Sequence, residues 1–352
     1  MKNGYERLVR PLLFRFDAES THDFAIRSLG IASRFDPAVR FLTCFEPPRQ
    51  PKTAFGLQFP NPIGLAAGFD KNGVALPALE ALGFGFIEIG TITARPQPGN
   101  PKPRIFRLPA QEALINRLGF NNEGADAIAQ RLHHWRTGKR RLSVPIGINI
   151  GKSRLTPLED AVDDYVYSFR LLRKFADYVV LNVSSPNTPG LRELQGADAL
   201  SKLLDAVGNA NRTNPTPLAI KIAPDLTHDE LDDIVSVCEE KGVAAIVATN
   251  TTTDHSAIPQ NLDLEGGLSG TPLRTKSTEL VRAITARSAI PVIASGGIID
   301  AASALEKIDA GAQLLQVYTG YIYRGPGLLR EIGEALVRQN AAPQIPSGQV
   351  TE

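Results

Sequence analysis

The sequence predicts an α/β fold, a (β/α)8 TIM barrel with a small N-terminal two-helix extension. Between residues 63 and 317 it contains eight short apolar runs, helix-like segments such as Glu230–Lys241 and Leu273–Arg287, and polar or glycine residues directly after each run. Short apolar runs are typical of buried parallel strands. Because strands alternate with helices eight times, the pattern indicates a closed barrel.

Composition excludes several classes of protein. The 352 residues are 43% hydrophobic and 21% charged, and 38 basic residues against 37 acidic ones give a net charge of +1, so no global field attracts nucleic acid. Cys44 and Cys238 are the only cysteines, which indicates neither a disulfide framework nor a metal site and favours a reducing cytoplasm. No apolar stretch reaches the roughly 18 residues of a spanning helix, so we expect any membrane association to be peripheral.

Residues 1–45 are predicted to form an amphipathic helical extension. Apolar residues recur at helical spacing in residues 4–16 and again in residues 21–35, which predicts two short helices. Up to Arg40 there are seven basic residues and five acidic ones. Contact with an anionic lipid surface and packing against the barrel explain this pattern equally well.

Prolines 47, 48 and 51 indicate a linker into the barrel domain, residues 46–340, and residues 341–352 are predicted to be a flexible tail. A long insertion, residues 94–145, follows the second strand and is typical of a lid or a ligand-binding loop. The predicted strands are Ile63–Ala66, Phe86–Ile89, Ile146–Ile150, Tyr178–Leu181, Leu218–Ile222, Ala245–Ala248, Val292–Ala294 and Leu314–Val317.

Polar residues gather at the carboxyl ends of these strands, where barrels of this fold build active sites. Ser295-Gly296-Gly297 and Tyr318-Thr319-Gly320 follow the seventh and eighth strands, where backbone N–H groups commonly bind phosphate. A phosphorylated ligand is therefore predicted, although two glycines also occur in plain tight turns.

Two lysines and five asparagines indicate the chemistry of the ligands. Lys71 and Lys221 follow strands, where a cation could neutralise a substrate carboxylate or the charge of a reduced flavin. Asparagine both donates and accepts, which suits a planar ligand with amide edges, such as a pyrimidine or an isoalloxazine. No Gly-x-Gly-x-x-Gly follows a strand, which disfavours a nicotinamide site. The asparagines are Asn116, Asn149, Asn182, Asn187 and Asn250.

The segment of residues 182–192 is predicted to be the catalytic loop. Two prolines stiffen it and hold Ser185 and Thr188 extended, so that Asn182, Ser185 and Asn187 can face one point. A turn that caps the next helix is the alternative. Four amide or hydroxyl side chains directly after a buried strand favour the functional interpretation.

Six motifs over residues 5–335 resemble those of dihydroorotate dehydrogenases, specifically the quinone-dependent class 2: AAGFDK (66–71), GNPKPR (99–104), INRLGFNN (115–122), NVSSPNTPGLR (182–192), GGLSG (266–270) and VYTG (317–320). The resemblance implies oxidation of (S)-dihydroorotate to orotate in de novo pyrimidine (UMP) biosynthesis. It implies FMN as cofactor and ubiquinone or menaquinone as acceptor. It also implies peripheral attachment to the cytoplasmic face of the cell membrane; we expect a monomer.

The resemblance also implies roles for particular residues. Ser185 stands where the soluble classes carry a cysteine, and would take a proton from carbon 5 of dihydroorotate, with a relay through water and Thr188 or through water alone. Positions matching FMN contacts are Ala67, Gly68, Phe69, Asp70, Lys71, Thr91, Asn149, Asn182, Lys221, Thr249, Gly270, Gly297, Tyr318 and Thr319. Positions matching substrate contacts are Lys71, Asn116, Arg117, Leu118, Gly119, Phe120, Asn182, Asn187, Asn250 and Thr251. His22, Arg107 and Tyr318 match the quinone tunnel.

Two rival functions remain open at this stage. Another flavin barrel, acting on uracil in tRNA, is disfavoured by the missing basic excess. A non-catalytic barrel tethered by its N-terminal helices would be colourless, whereas a flavoprotein is yellow. Since residues 1–45 supply no predicted flavin or orotate contact, the barrel is expected to keep both sites without them.

Overall fold

The computed structural model describes residues 4–138 and 141–341, and in it eight parallel strands close into a barrel in chain order, β3-β4-β7-β8-β9-β10-β12-β13. The thirteen strands are β1 (Lys52–Ala54), β2 (Leu57–Phe59), β3 (Ile63–Leu65), β4 (Phe86–Ile92), β5 (Ile105–Leu108), β6 (Ala113–Asn116), β7 (Ile146–Ile150), β8 (Tyr178–Asn182), β9 (Leu218–Ile222), β10 (Ala245–Ala248), β11 (Gly267–Gly270), β12 (Val292–Ser295) and β13 (Leu314–Val317). The predicted barrel and its eight strands are confirmed. The predicted tail lies outside the described residues beyond Ala341.

Helices surround the barrel because alternate residues of each strand point outward into an apolar layer. In β4, for example, Ile87 and Ile89 belong to the core between strands and helices, whereas Phe86 points into the barrel. The helices are α1 (Arg10–Leu13), α2 (Ala18–Ala32), α3 (Asp36–Leu42), α4 (Leu76–Ala81), α5 (Ala125–Thr137), α6 (Ala161–Leu172), α7 (Ala197–Ala210), α8 (His228–Glu240), α9 (Arg274–Arg287), α10 (Ala301–Asp309), α11 (Thr319–Arg324) and α12 (Gly327–Ala341).

Aromatic rings fill the amino-terminal end of the barrel. The antiparallel hairpin β1–β2 brings the Phe59 ring to 5.4 Å from that of Phe86, and both belong to one buried cluster with Tyr178. Gly64 and Gly147 make this possible, because a Cβ atom there would lie 2.3 Å from the Phe86 ring and 2.2 Å from the Tyr178 ring. A polar cavity therefore has room only at the opposite end of the barrel.

The N-terminal extension has one helix more than the sequence predicts. A π-helical turn, Tyr5–Val9, runs into α1, and Asp17 caps α2 by accepting the backbone N–H of Ser20 at 2.8 Å. The additional helix α3 spans seven residues, too few to show a helical period. Its Pro37 lies in the first turn, where the missing N–H would have no helical partner.

The insertion after β4 forms part of a second sheet. Strands β5 and β6 pair antiparallel, and β11 adds to β6 with Gly267 opposite Asn116. The partners β6 and β11 are about 150 residues apart in sequence, so no local pattern predicts their pairing. This sheet borders the mouth of the barrel. It contains part of the insertion of residues 94–145, which the sequence predicts to be a lid or a ligand-binding loop.

We expect Gly147→Ala to lower the free energy of unfolding by about 1–3 kcal/mol, because overpacking forces neighbouring side chains off their rotamers. Chemical denaturation measures this effect. Gly208→Ala in α7 is the matched control: a Cβ atom there meets nothing within 4 Å, and alanine in a helix is favoured by roughly 0.5–1 kcal/mol. Equal stabilities of the two variants would contradict the packing argument.

Candidate active site

A pocket opens at the carboxyl ends of the barrel strands and collects most of the residues that the sequence indicated. It lies at the opposite end of the barrel from the aromatic rings of Phe59, Phe86 and Tyr178. The sheet of β5, β6 and β11 borders it. The predicted residues that line it are Ala67, Gly68, Lys71, Thr91, Asn116, Leu118, Gly119, Phe120, Asn182, Ser185, Asn187, Lys221, Thr249, Asn250, Thr251, Gly270, Gly297, Tyr318 and Thr319.

Four of the residues predicted to contact flavin or substrate do not line this pocket. The Phe69 ring packs 5.1 Å from His22, and the Asp70 carboxylate accepts the backbone N–H groups of Val74 and Ala75. Arg117 donates outward to the Pro103 carbonyl and to Glu265. Asn149 lies below the pocket surface, fully buried. Their positions show that adjacency within a motif does not place every side chain in the cavity.

A buried carboxylate organises the polar side chains beneath the pocket. Glu88 in β4 accepts hydrogen bonds from the Asn149 amide at 2.8 Å and from the Gln316 amide. The Asn149 carbonyl oxygen accepts the Thr91 hydroxyl at 2.6 Å. Thr91 in turn accepts from the Asn182 amide at 2.8 Å. Because both Glu88 oxygens accept an amide N–H, the Asn149 nitrogen faces Glu88 and its carbonyl oxygen is left to accept the Thr91 hydroxyl.

The same interior holds a lysine. Burial lowers the pKa of Lys221, and the charge of Glu88 acts in the opposite direction. Sequence reasoning missed both Glu88 and Gln316. A single charged or amide residue inside an apolar strand, as in Phe-Ile-Glu-Ile and Leu-Leu-Gln-Val, is the signal that could have indicated them.

Gly296 and Gly297 line the pocket and form a backbone cradle, a turn whose backbone faces the cavity without side chains. Gly296 and Gly297 have φ of +97° and +71°, and a Cβ atom on Gly297 would lie 2.2 Å from the Arg274 Cα. The Ser277 hydroxyl donates to the Gly296 carbonyl at 2.9 Å and so supports the turn from behind. Such a cradle lets backbone N–H groups approach an anion closely.

Two buried polar atoms at this pocket have no hydrogen-bond partner within the described residues, the Thr251 hydroxyl oxygen and the Gln316 carbonyl oxygen. Buried polar atoms are rarely left without partners in folded proteins. Thr251 lines the pocket, so a polar ligand is the natural partner of its hydroxyl, whereas the Gln316 amide lies close to the buried Tyr178 hydroxyl.

The loop that carries Ser185 is tied to its neighbours. Ser185 is 5% exposed, and its hydroxyl accepts the backbone N–H of Asn187 at 3.3 Å. Arg192 donates to the carbonyl groups of Ser184 and Thr251, both at 3.3 Å, and to the Asp225 carboxylate at 3.1 Å. One guanidinium thereby holds the serine loop against the loop after β10.

Asp225 is a strong partner for this arginine. Burial opposes ionisation of the carboxyl group, but hydrogen bonds from Lys276 and Thr252 outweigh it and lower the pKa of Asp225 to about 2. The carboxylate is therefore charged throughout the physiological pH range, and its ion pair with Arg192 persists over that range.

A second cavity, mostly apolar, lies between the extension and the barrel, and it brings together the predicted quinone residues His22, Arg107 and Tyr318. The Arg107 guanidinium stacks 4.5 Å from the Phe14 ring and donates to the carbonyl groups of Leu13 and Phe16. Burial, followed by the charge of Lys71, lowers the pKa of His22 to about 3, so its imidazole is neutral. Tyr318 lines both cavities.

Fold and site together define a (β/α)8-barrel protein with a polar pocket at the carboxyl ends of its strands and an adjoining, mostly apolar cavity. The sequence model of the family described as dihydroorotate dehydrogenase matches residues 51–339, and the chain belongs to this family.

Relatives support the assignment over nearly the whole chain. A protein of Gloeobacter violaceus named dihydroorotate dehydrogenase (quinone) is 52% identical over 93% of this chain and 92% of its own. A protein of the same name from Chloroflexus aurantiacus is 46% identical over 97% of this chain and 98% of its own. The crystal structure of a DHODH from Eimeria tenella in complex with ferulenol superposes with a TM-score of 0.80 at 37% identity, covering 92% of this chain and 91% of that one.

Proposed function

We propose that this protein oxidises (S)-dihydroorotate to orotate and delivers the electrons to a membrane quinone, ubiquinone or menaquinone, with FMN as its redox cofactor. The reaction belongs to de novo pyrimidine biosynthesis. The observation that carries the proposal is the pair of adjoining cavities: a polar pocket containing Ser185, Lys71 and several asparagines, and an apolar cavity that shares Tyr318 with it. Relatives named dihydroorotate dehydrogenase (quinone) support the same reaction.

The residues of the pocket fit FMN. The cradle of Gly296 and Gly297, next to Thr319, suits its phosphate, and Lys221 with the amide of Asn182 suits the polar edge of a flavin ring, whereas Asn149 would act from behind them through Thr91. When bound, FMN would accept the hydride from carbon 6 of the substrate and pass electrons on to the quinone.

The remaining groups suit dihydroorotate. Lys71 would neutralise the substrate carboxylate, and the amides of Asn116, Asn187 and Asn250 would bind the pyrimidine edges. Ser185 would take the proton from carbon 5, after which carbons 5 and 6 share a double bond. Thr188 is buried in the same loop, and in the described residues it makes no hydrogen bond to Ser185, so a relay through Thr188 would need a bridging water.

The extension suits a membrane surface. Its helices expose several large apolar side chains, including Leu8 at 76%, Phe24 at 66% and Phe41 at 72%. A concentration of exposed apolar side chains in one segment commonly marks lipid or protein contacts. Within the described residues no helix has the length and apolarity needed to span a membrane. We therefore propose peripheral attachment through these side chains at the cytoplasmic face, with the apolar cavity as the entrance for quinone.

We expect Ser185→Ala to bind FMN and orotate normally but to reduce its flavin about 10²–10⁴-fold more slowly, because it loses the general base. Rapid mixing with dihydroorotate measures the rate at the flavin absorption bands. Flavin reduction at the wild-type rate would refute the role of Ser185, and a colourless wild-type protein would refute FMN.

Thr188→Ala distinguishes the two proposed proton relays from Ser185. Slower flavin reduction in this variant supports passage through the Thr188 hydroxyl, and an unchanged rate supports water alone.

Orotate binding should depend on the protonation of Lys71. Burial lowers the pKa of Lys71 to about 8, although the charge of Glu19 opposes this shift. Since the charged form binds the carboxylate, affinity should be constant below this pKa and fall about tenfold per pH unit above it. Titrations of the FMN-loaded enzyme with orotate from about pH 6 to about pH 10 test this. Lys71→Arg should move the fall to higher pH; the same fall in Lys71→Met would contradict the assignment.

The Phe24→Ser/Phe41→Ser variant should bind vesicles of anionic phospholipid roughly tenfold or more weakly per phenylalanine removed, because each buried phenylalanine contributes about 1.5–3 kcal/mol. Vesicle flotation measures the bound fraction. Leu155→Ser is the control, since Leu155 is 81% exposed but lies outside the extension. Equal losses in both variants, or none in either, would contradict attachment through the extension.

A further inference from the structure

We propose that Glu19, in helix α2 of the extension, is a positioning residue for the dihydroorotate pocket, acting through Arg104 and the loop of residues 98–100. The inference rests on the proposed function, because it takes the polar pocket as the substrate site. It assigns the extension a role beyond quinone entry and membrane attachment.

Glu19 and Arg104 form a buried ion pair across the boundary between extension and barrel. Each is 5% exposed. The Arg104 Nε atom donates to both carboxylate oxygens, at 3.2 and 3.1 Å, and Nη2 donates to Oε1 at 2.7 Å. This fork geometry is specific to arginine and carboxylate. Removing one member of a buried pair leaves the other charge without compensation, so the position of Arg104 depends on Glu19.

The remaining nitrogen of Arg104 holds a loop of the barrel. Its Nη1 atom donates to the carbonyl groups of Pro98 at 2.6 Å and Asn100 at 2.7 Å. Gly99 between them has a φ of +79°, and a Cβ atom there would lie 2.6 Å from this nitrogen and 2.3 Å from the Leu118 carbonyl oxygen. The loop is therefore pressed between the guanidinium and the segment that contains Leu118.

The loop in turn contacts the walls of the substrate pocket. The Asn100 backbone N–H donates to the Leu118 carbonyl at 3.0 Å, and its side-chain amide donates to the carbonyl groups of Arg117 at 2.9 Å and Asn187 at 3.5 Å. Leu118 and Asn187 line the pocket. Successive hydrogen bonds thus connect helix α2 to two sides of the substrate site.

Electrostatics adds a second connection. The negative charge of Glu19 opposes the effect of burial on Lys71, the proposed partner of the substrate carboxylate. Neutralising Glu19 therefore disturbs both the shape of the pocket and the pKa of Lys71. The expectation that the barrel keeps its substrate site without residues 1–45 changes accordingly: a barrel without the extension should bind orotate weakly.

The test compares full-length, FMN-loaded variants by titration with orotate, following the flavin spectrum. Glu19→Gln should weaken orotate binding about tenfold, a typical coupling between two sites, while the flavin content stays unchanged. Lys102→Met is the matched control. Lys102 pairs with the same carboxylate at 3.1 Å but is 59% exposed, so its loss should change affinity less than about threefold.

Hydrogen exchange of the wild-type protein supplies a readout that does not depend on a variant. Because coupling is reciprocal, orotate should slow amide exchange in residues 17–23 of the extension as well as in residues 98–119. Exchange in α8 should remain unchanged. In Glu19→Gln the effect on residues 17–23 should disappear.

The outcomes separate the two proposals. A wild-type protein that holds FMN but binds no orotate would overturn the proposed function. Normal orotate binding with unchanged exchange in residues 17–23, or equal orotate affinity in Glu19→Gln and wild type, would overturn the role of Glu19 and leave the proposed function intact.

Discussion

The buried carboxylate of Glu88 is the constraint on which the architecture of the polar pocket depends. A polar group buried inside a barrel is costly unless it is hydrogen-bonded, and here the amides of Asn149 and Gln316 donate to the two carboxyl oxygens of Glu88. Because the Asn149 amide nitrogen donates to Glu88, its carbonyl oxygen faces Thr91, and the Thr91 hydroxyl and the Asn182 amide are oriented in turn. The donors and acceptors of the pocket are therefore oriented before any ligand arrives, which is what catalysis by a preorganised site requires.

The fold places a polar pocket and an apolar cavity next to each other. Aromatic rings close the amino-terminal end of the barrel, so polar groups accumulate at the other end. The extension then covers one side of that end and encloses an apolar cavity whose wall includes Tyr318, a residue shared with the polar pocket. Under the proposed function, a charged pyrimidine and an apolar quinone could each occupy a cavity of matching polarity beside one flavin. The buried ion pair of Glu19 and Arg104 joins the extension to the barrel.

Local patterns explain why so much of the barrel was predictable. A strand such as Tyr178–Asn182 or Ala245–Ala248 is a run of apolar residues, and its end is marked by the first polar residue, Asn182 or Thr249. Helix α3 was missed because seven residues carry too little periodicity, and the sheet of β5, β6 and β11 was missed because its strands are short and remote in sequence. In the motif of residues 66–71, Gly68 and Lys71 line the pocket, whereas Phe69 and Asp70 point into other surroundings.

The sequence by itself determined the fold class, the eight strands, the family resemblance and most residues of the polar pocket, because each depends on the order of neighbouring residues. Only the tertiary structure decided which side chains share a cavity, which amides bond to Glu88, and how the extension meets the barrel. Arg104 belongs to a recognisable motif, but nothing beside it indicates a partner 85 residues earlier in the chain. Pairings of this kind are made by the packing of distant segments, and periodicity and motif spacing report only on near neighbours.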